Sequence, residues 1–445
     1  MLRALSPHGL EDFERLEATA FFARAMDDGR VVRTTRTTDA ALGDDVLPGG
    51  VAAVLEHERV PFVSYPYEWP FGMLKDAALL ELDLMLAALE EGMRLKDASP
   101  YNVQWRGARP QFIDVGSFEL APHGEPWPGY RQFCELFLYP LMIQAYKGIS
   151  MRPWLRGRVS GMSPAECRAL LSFRDRFRRG TLANVYLHSR LESRYEASDR
   201  DVKGELKRAG LGAEVVKASV RKLRKLVERL VPRRGKTEWT GYEAESPYAD
   251  EDAARKAELV ERAAGTRSWD LVWDLGCNEG AYTRIAARNA RYCVGCDADE
   301  GVIETLYAKL RADRDESILP LVMDLTDPSP GLGWRTAERK ALTDRGSPDL
   351  VLALALIHHV SITGNVPVRE VVDWLAGLGA SLVIEFVDRD DPMARKLLAR
   401  KGPHTHDDYN REFFERCLRE SFEVASQDTL PAGTRTLYFA RPRAA

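Results

Sequence analysis

The sequence predicts an α/β protein in which a largely parallel, doubly wound sheet occupies the C-terminal half. Residues 271–299 predict a strand, a glycine turn, a helix and a second strand in succession, which is half of a mononucleotide-binding unit. Residues 349–357 are almost continuously apolar, as a strand buried on both faces requires. Residues 422–424 and 434–439 predict a closing antiparallel pair. We therefore expect a seven-stranded sheet preceded by an α+β domain and a helical linker.

Composition places the chain among ordinary soluble proteins with two or three domains. It has 445 residues, of which 45% are hydrophobic and 29% charged. No run of 18 apolar residues occurs, so we expect no membrane span, and the N-terminus lacks the apolar core of a secretory signal, which predicts a cytoplasmic protein. The net charge of −4 makes nucleic acid an unlikely partner, although a local basic surface remains open.

Six cysteines are too sparse for a disulfide framework. Cys293 and Cys296 form a C-x-x-C pair, which can mark a zinc or redox site, but both fall within a predicted buried strand. We therefore favour packing as their role.

The first domain, residues 1–200, begins with a predicted helix at 9–26, an extended run at 30–38 and a helix-like segment at 51–59. A long helix follows at 75–92, where apolar residues recur at helical spacing.

Three polar residues then follow in a characteristic order: Asp97, Asn102 five residues later, and Asp114, which begins an Asp-x-Gly sequence twelve residues after that. Two short predicted strands join them. This order resembles the catalytic and metal-binding loops of the protein-kinase-like fold, in which the first Asp orients the acceptor and the other two residues hold magnesium. The resemblance implies a degenerate kinase-like domain with a magnesium site at Asn102 and Asp114. Leu95 replaces the usual His, no glycine-rich loop precedes it, and the first 60 residues contain no Lys. The alternative is an α+β domain of its own kind, in which Asp97 caps a turn and Asp114 is structural.

The rest of the first domain is predicted to be helical, at 130–147 and 163–179, with Ser163 as the N-cap of the second helix. Trp127, Trp154 and Tyr186 are predicted core residues.

Residues 201–235 predict a basic amphipathic linker helix. From 201 to 236 there are twelve Lys or Arg and four Asp or Glu, with one apolar stripe. Such a helix would dock on a domain, pair with a copy of itself, or touch an anionic surface such as a membrane or nucleic acid.

The third region, residues 236–445, carries the motif with the most chemistry. Asp274, Gly276 and Gly280 form D-x-G-x-x-x-G, and Asp297 ends the next strand seventeen residues after Gly280. A dinucleotide site would need G-x-G-x-x-G for its pyrophosphate, and Asp274 and Glu279 would repel that anion. A cationic nucleoside that bears an amino acid suits the turn better, with Asp297 placed to meet its ribose hydroxyls.

This pattern resembles the S-adenosylmethionine site of the Rossmann-like (class I) methyltransferases. The resemblance implies a sheet of order 3-2-1-4-5-7-6 and S-adenosyl-L-methionine as cofactor. It implies a cofactor-binding set formed by Asp274, Gly276, Asn278, Gly280, Asp297, Asp324 and Tyr242. In this set Asp324 would accept from the adenine amino group, and Tyr242, with Tyr248, would act as a lid.

Methyl transfer is an in-line displacement, so the protein must align the acceptor and, for a hydroxyl, remove its proton. We expect the catalytic residues at the carboxyl ends of the strands, where His358 and His359 follow strand four and Glu385 and Asp388 belong to strand five or follow it. The alternative role for the two histidines is to shape the pocket. Residues 404–408 have metal-ligand types, but a polar N-cap for the helix near Tyr409 explains them more simply.

The predicted reaction transfers a methyl group to an oxygen or carbon of a small-molecule or glycan-like acceptor. The whole chain resembles a bacterial group of nodulation-protein-like methyltransferases, which hints at that acceptor class. An Asn-Pro-Pro-Tyr sequence, typical of amino-group methylation, is absent after strand four. Two alternatives stay open: a bifunctional or pseudokinase-like protein whose N-terminal half binds nucleotide, and a scaffold that binds S-adenosylmethionine without turnover.

Overall fold

The structure is a computed structural model that describes residues 1–37, 50–122, 125–187, 213–233, 250–402 and 405–443. The chain divides into two compact units. The first comprises Met1–Trp105 with Pro110–Gly235, and the second comprises Arg106–Arg109 with Lys236–Ala445.

The first unit opens with an antiparallel sheet of three strands, β1 (Leu2–Leu5), β2 (Thr34–Thr37) and β3 (Ala53–His57), in the order β1-β3-β2. The prediction of a helix-like segment at 51–59 was wrong, because this part of the chain contains β3, the central strand of the sheet. Pairing on both edges decided the outcome, since strand formation depends on neighbours that a local pattern does not show.

The helix predicted at 9–26 is two helices, α1 (Pro7–Glu17) and α2 (Ala20–Asp27). Thr19 between them is extended, and the carboxylate of Glu91 accepts the backbone N–H groups of Ala20 and Phe21 at 2.7 and 2.8 Å. A residue seventy positions away therefore satisfies the first donors of the second helix.

The remaining strands of the first unit are short, and they pair two by two, β4 with β7 and β5 with β6. They are β4 (Met93–Leu95), β5 (Val103–Arg106), β6 (Arg109–Phe112) and β7 (Phe118–Leu120). The helices of this unit that follow α2 are α3 (Phe71–Glu90), α4 (Tyr130–Phe133), α5 (Tyr139–Lys147), α6 (Arg152–Gly157), α7 (Pro164–Leu170) and α8 (Ala213–Arg229).

A π-helical segment, Cys134–Leu138, joins α4 to α5, so the helix predicted at 130–147 is confirmed as one continuous helical stretch. The predicted N-cap Ser163 is confirmed, since its hydroxyl accepts from the Glu166 N–H, but α7 ends at Leu170, well before residue 179. Trp127 and Tyr186 are buried, as predicted, whereas Trp154 is half-buried.

The basic helix α8 docks on α3 within the first unit. Lys217 and Arg221 pair with Glu90, at 2.8 and 3.3 Å, and Arg224 pairs with Asp83 at 2.5 Å. Among the three roles that the sequence left open, the described contacts support docking on a domain.

The second unit is built on one sheet of seven strands. Its spatial order is β10-β9-β8-β11-β12-β14-β13, in which β14 runs antiparallel to both β12 and β13 and the remaining neighbours are parallel. The strands are β8 (Trp269–Leu275), β9 (Ala290–Asp297), β10 (Ile318–Val322), β11 (Leu350–Ala353), β12 (Ser381–Val387), β13 (Phe422–Thr429) and β14 (Arg435–Pro442). The predicted α/β Rossmann-like domain is confirmed.

The helices of the second unit are α9 (Asp250–Ala264), α10 (Ala281–Ala287), α11 (Glu300–Asp313), α12 (Val368–Gly377), α13 (Pro392–Leu398) and α14 (Arg411–Ser421). Every residue of β10, β11 and β12 is buried, as parallel strands covered on both faces require. All six cysteines are buried and unbridged. Within the described residues, no helix has the length and apolarity needed to span a bilayer.

Candidate active site

The glycine turn lies between β8 and α10 and is set by two left-handed glycines. Gly276 and Gly280 have φ angles of 80° and 81°, a region that residues with a Cβ rarely adopt. A Cβ on Gly280 would lie 2.6 Å from Leu306 Cδ1. The N–H groups of Gly276 and Cys277 both donate to the carbonyl of Cys296, which ties the turn to the neighbouring strand β9.

Asp297 ends β9 beside this turn. Its Oδ2 accepts the backbone N–H of Asn278 at 3.0 Å, and its Oδ1 accepts that of Asp299 at 2.9 Å. Burial raises the pKa of this carboxyl, and backbone N–H groups, first those of Asp299 and Asn278, oppose the rise. A carboxylate offers about four acceptor positions, so two stay available on this half-buried group. A ligand with two neighbouring hydroxyls, such as a ribose, fits this donor requirement.

Asp274 lies under the turn rather than on its surface. The side chain is 2% exposed, and Thr283 Oγ1 of α10 donates to its Oδ2 at 2.5 Å. Burial raises the pKa of Asp274 to about 6, although this bond and the charge of Lys256 lower it. The carboxylate thus joins strand, turn and helix from inside.

Asp324 follows β10 at the same edge of the sheet, since Val322 is in register with Asp297. It is exposed, and its Oδ1 accepts from the backbone N–H and the hydroxyl of Thr326, at 2.8 and 2.7 Å. These bonds fix the carboxylate where an amino group could reach it.

Strand four is shorter than the sequence predicts, because β11 ends at Ala353 and not at residue 357. Ala355 has a φ of 50°, which breaks the extended backbone. Leu356 packs against the glycine turn, where its Cδ1 would lie 3.2 Å from a Cβ on Gly276. His358 and His359 consequently lie in a helical turn after the strand, not at its end.

The two histidines lie together, with ring centroids 4.1 Å apart. His358 is buried, and burial followed by the neighbouring His359 holds its pKa well below the usual value. His359 is half-buried, and burial and the charge of Arg435 lower its pKa to about 4. Both imidazoles are therefore neutral at pH 7.

Glu385 is fully buried in β12 and belongs to a network of charges. Its carboxylate lies 2.5 Å from Lys256 Nζ and 3.5 Å from Arg435 Nη1, and Arg435 Nε also bonds Asp391 at 2.8 Å. Each of these side chains is nearly fully buried. A carboxylate held by two cations is a poor proton acceptor, so this placement favours a supporting role over the predicted role as a base. Asp388 pairs with Arg411.

Sequence reasoning missed Lys256, Arg435 and Thr283. Arg435 is detectable in principle, as a lone cation at the start of an apolar strand. Lys256 carries no such signal, since it sits among other charged residues of α9.

Some of the predicted residues are not part of the site that the structure describes. Tyr242, Tyr248 and His404 fall outside the described residues. The helix near Tyr409 begins at Arg411, and its N-cap is Asn410, not a residue of the 404–408 segment. In the described part of the chain, no group of three or more His, Cys, Asp or Glu residues is placed to hold a metal ion.

The kinase-like residues of the first unit meet at Ser117. The hydroxyl of Ser117 donates to Asp114 Oδ2 at 2.5 Å and accepts from Asn102 Nδ2 at 3.4 Å. Arg3 forms an ion pair with Asp114, which already balances that carboxylate. Asp97 is half-buried near the fully buried Glu81, whose pKa is raised well above its usual value by burial and then by Asp97. The kinase-like domain and its magnesium site stay predictions.

No family model matches the sequence. The nodulation protein NoeA of Rhizobium meliloti (strain 1021) is 33% identical over 427 residues, which cover 96% of this chain and 89% of that protein.

Three solved structures show low similarity to under half of this chain. The N-methyltransferase NodS from Bradyrhizobium japonicum WM9 in complex with S-adenosyl-l-homocysteine is 16% identical, with a TM-score of 0.32 over 46% of this chain and 98% of its own. A SAM-dependent methyltransferase from Aquifex aeolicus has 15% identity and a TM-score of 0.32, over 46% and 98%. The magnesium protoporphyrin IX methyltransferase ChlM from Synechocystis PCC 6803, with bound SAM, has 17% identity and a TM-score of 0.30, over 47% and 86%.

The resemblance of residues 236–445 to the class I methyltransferases is carried by the strand order and by the glycine turn. The chain belongs to the family of the nodulation protein NoeA, with a class I methyltransferase fold in its second unit.

Proposed function

We propose that this protein transfers a methyl group from S-adenosyl-L-methionine to an oxygen or carbon of a small-molecule or glycan-like acceptor. The observation that supports this most directly is the pairing of the left-handed glycine turn with Asp297 at one edge of the sheet. The turn leaves backbone open to a close ligand, and the carboxylate keeps acceptor positions for two hydroxyls.

The residues of the second unit divide the work of holding the cofactor. Asp297 binds the ribose hydroxyls, the backbone from Gly276 to Gly280 lies against the ligand, and Asp324 accepts from the adenine amino group. Asp274 acts from below, because its bond to Thr283 holds α10 against the turn. When bound, S-adenosylmethionine supplies a methyl group on a positively charged sulfur, which a nucleophile displaces in line.

His359 is the proposed base for a hydroxyl acceptor. It is half-buried, whereas His358 is fully buried behind it and orients it through ring contact. Because its pKa is about 4, the imidazole is neutral at pH 7. It takes up the hydroxyl proton as the acceptor oxygen forms its bond to the methyl carbon, since that bond makes the proton strongly acidic. Arg435 maintains that neutral state through its charge, and Glu385 holds Arg435 and Lys256 in place.

The oxygen or carbon acceptor follows from residues 354–359, which read Leu-Ala-Leu-Ile-His-His and lack the Asn-Pro-Pro-Tyr sequence typical of amino-group methylation. A neutral histidine suits the removal of a hydroxyl proton. The glycan-like class is supported by membership of the nodulation-protein family.

Calorimetric titration with S-adenosylmethionine and S-adenosylhomocysteine tests the cofactor site. Asp297→Ala is expected to weaken both ligands about tenfold to a hundredfold, because charge-assisted hydrogen bonds contribute roughly 1.5–3 kcal/mol. Asp270→Ala is the matched control, since Asp270 is an exposed carboxylate at the opposite end of β8 and pairs with Arg291 at 3.1 Å. Equal affinity for the wild type and Asp297→Ala would refute the site.

Transfer of a labelled methyl group to oligosaccharides, small alcohols and amines tests the acceptor. We expect labelling of hydroxyl-bearing compounds and a loss of about a hundredfold in kcat for His359→Ala, the scale of general-base catalysis, with cofactor affinity unchanged. Preferential labelling of amines would overturn the oxygen or carbon assignment.

A further inference from the structure

A cavity of about 790 Å³ lies in the first unit, beside α8, and none of its described lining residues is assigned to methyl transfer. Its inner wall is apolar: Val220, Leu223 and Leu226 of α8 are nearly fully buried there, and Trp127 contributes an indole face. The volume is in the range of sites that bind small molecules.

Charges around the cavity are all of one sign. Arg179, Lys222, Lys225 and Arg229 line it, and none of its described lining residues is acidic. None of the four cations forms an ion pair with any residue that the structure describes. Four cations that pair with no carboxylate of the described chain, set around an apolar wall, raise the local potential for an anion.

The opposite face of the same helix shows that this is a property of the cavity and not of the helix. Lys217, Arg221 and Arg224 are each paired with a carboxylate of α3, Glu90 or Asp83. Three of the six cations of α8 therefore pair with α3, and the other three line the cavity.

Neutral polar groups in the wall satisfy one another. Tyr130 Oη donates to Asn184 Oδ1 at 2.9 Å, and Asn184 Nδ2 donates to the Gly180 carbonyl at 2.7 Å. A ligand is thus recognised here by apolar contact and by charge. Trp127 and Tyr130 are the aromatic residues in the described wall, and two rings offer little surface on which nucleobases could stack.

We propose that this cavity binds a single-chain amphiphile, with its hydrocarbon chain against Val220, Leu223 and Leu226 and its anionic head group among Lys222, Lys225, Arg229 and Arg179. The chain removes apolar wall from water, and the head group balances the cations. This site is separate from the proposed methyl-transfer site and stands whether or not that function holds.

Calorimetry on the full-length protein with dodecyl phosphate, below the concentration at which it forms micelles, tests the proposal. One molecule is expected to bind per chain, with at least tenfold weaker binding of dodecanol, which lacks the charge, and of inorganic phosphate, which lacks the chain. Equal binding of dodecanol, equal binding of phosphate, or no binding of dodecyl phosphate would overturn it. Sedimentation with vesicles of phosphatidylglycerol in phosphatidylcholine tests whether the protein binds a membrane surface instead of a free amphiphile. Binding to vesicles without binding of monomeric dodecyl phosphate would also overturn the proposal.

Variants locate the site. Lys222→Gln with Lys225→Gln is expected to weaken dodecyl phosphate about tenfold, whereas Arg221→Gln, which removes a neighbouring charge that faces α3, leaves its affinity unchanged. Ala183→Trp narrows the cavity from an exposed lining position, so it is expected to weaken binding without unfolding the unit. If Arg221→Gln weakened binding as much as the double variant, general charge attraction would replace the cavity as the explanation.

Discussion

Glu81 of the first unit and Glu385 of the second unit are both completely buried, and the two glutamates have opposite surroundings. Glu385 of the second unit lies between Lys256 and Arg435, whereas Glu81 of the first unit lies near Asp97 and Asp114. Burial at 0% exposure is the same for both. The difference teaches that burial alone does not set the role of a carboxylate, because its neighbours decide whether it is an ionised anchor or a protonated side chain.

The largest effect is expected for Glu385→Gln. The substitution removes the negative charge that lies against two buried cations, Lys256 and Arg435. Breaking a buried ion pair in this way typically lowers the free energy of unfolding by about 3–5 kcal/mol. Urea denaturation at pH 7 measures the loss. Asp270→Asn is the control, because its pair with Arg291 is exposed and contributes at most about 1 kcal/mol. A loss below about 1 kcal/mol for Glu385→Gln would contradict the assignment of Glu385 as an ionised carboxylate that holds two cations.

Glu81→Gln should have the opposite sign. The pKa of Glu81 is raised well above its usual value by burial and then by Asp97, so the folded state keeps a proton that the unfolded state releases. The stability contributed by Glu81 is therefore fully present below about pH 4.5, and it is lost as the pH rises through the window up to the raised pKa. The variant avoids this loss, and we expect a gain of about 1–2 kcal/mol in the free energy of unfolding at neutral pH. Destabilisation at pH 7 would mean that the carboxylate is ionised and bound.

Histidines sharpen the comparison because they behave alike in the two units. His57 has its pKa lowered to about 4 by burial, then Arg3, and His359 has its pKa lowered to about 4 by burial, then Arg435. An unfolded histidine titrates near 6.5, so each contributes stability that is fully present above pH 6.5 and declines as the pH falls toward 4. At pH 5.5 the loss is about 1 kcal/mol for each histidine. Thermal melts of His57→Gln and His359→Gln at pH 7.5 and 5.5 should show a smaller shift than the wild type; an unchanged shift would contradict the burial argument.

The smallest effect is expected for Asp114→Asn. Arg3 and Asp114 are a partly exposed pair, so the free energy of unfolding should change by less than about 1 kcal/mol. Affinity for S-adenosylmethionine should stay that of the wild type, in contrast to Asp297→Ala. Titration with ATP and magnesium in the same experiment examines the predicted kinase-like site, where ATP binding that is lost in Asp114→Asn would support it.

Local sequence was sufficient to predict the structure where a residue type is strongly preferred in one backbone conformation, as glycine is at positive φ. The turn at Gly276 and Gly280 and the end of β9 at Asp297 agree with the sequence prediction. The segment at 51–59 was misassigned because its partners, β1 and β2, are distant along the chain. The end of strand four was also misplaced, since an alternating or apolar pattern does not reveal the positive φ of Ala355.

By itself, the sequence determined the α/β class, the glycine turn and the acidic residues that meet at one sheet edge, because period, glycine and strand-end positions are local properties. Only the tertiary structure decided the charge state of those residues. It brought Lys256 from α9 and Arg435 from β14 to Glu385, and it left half of the cations of α8 around a cavity. Electrostatic energy depends on distance in space and on the surrounding dielectric, and neither is a function of separation along the chain.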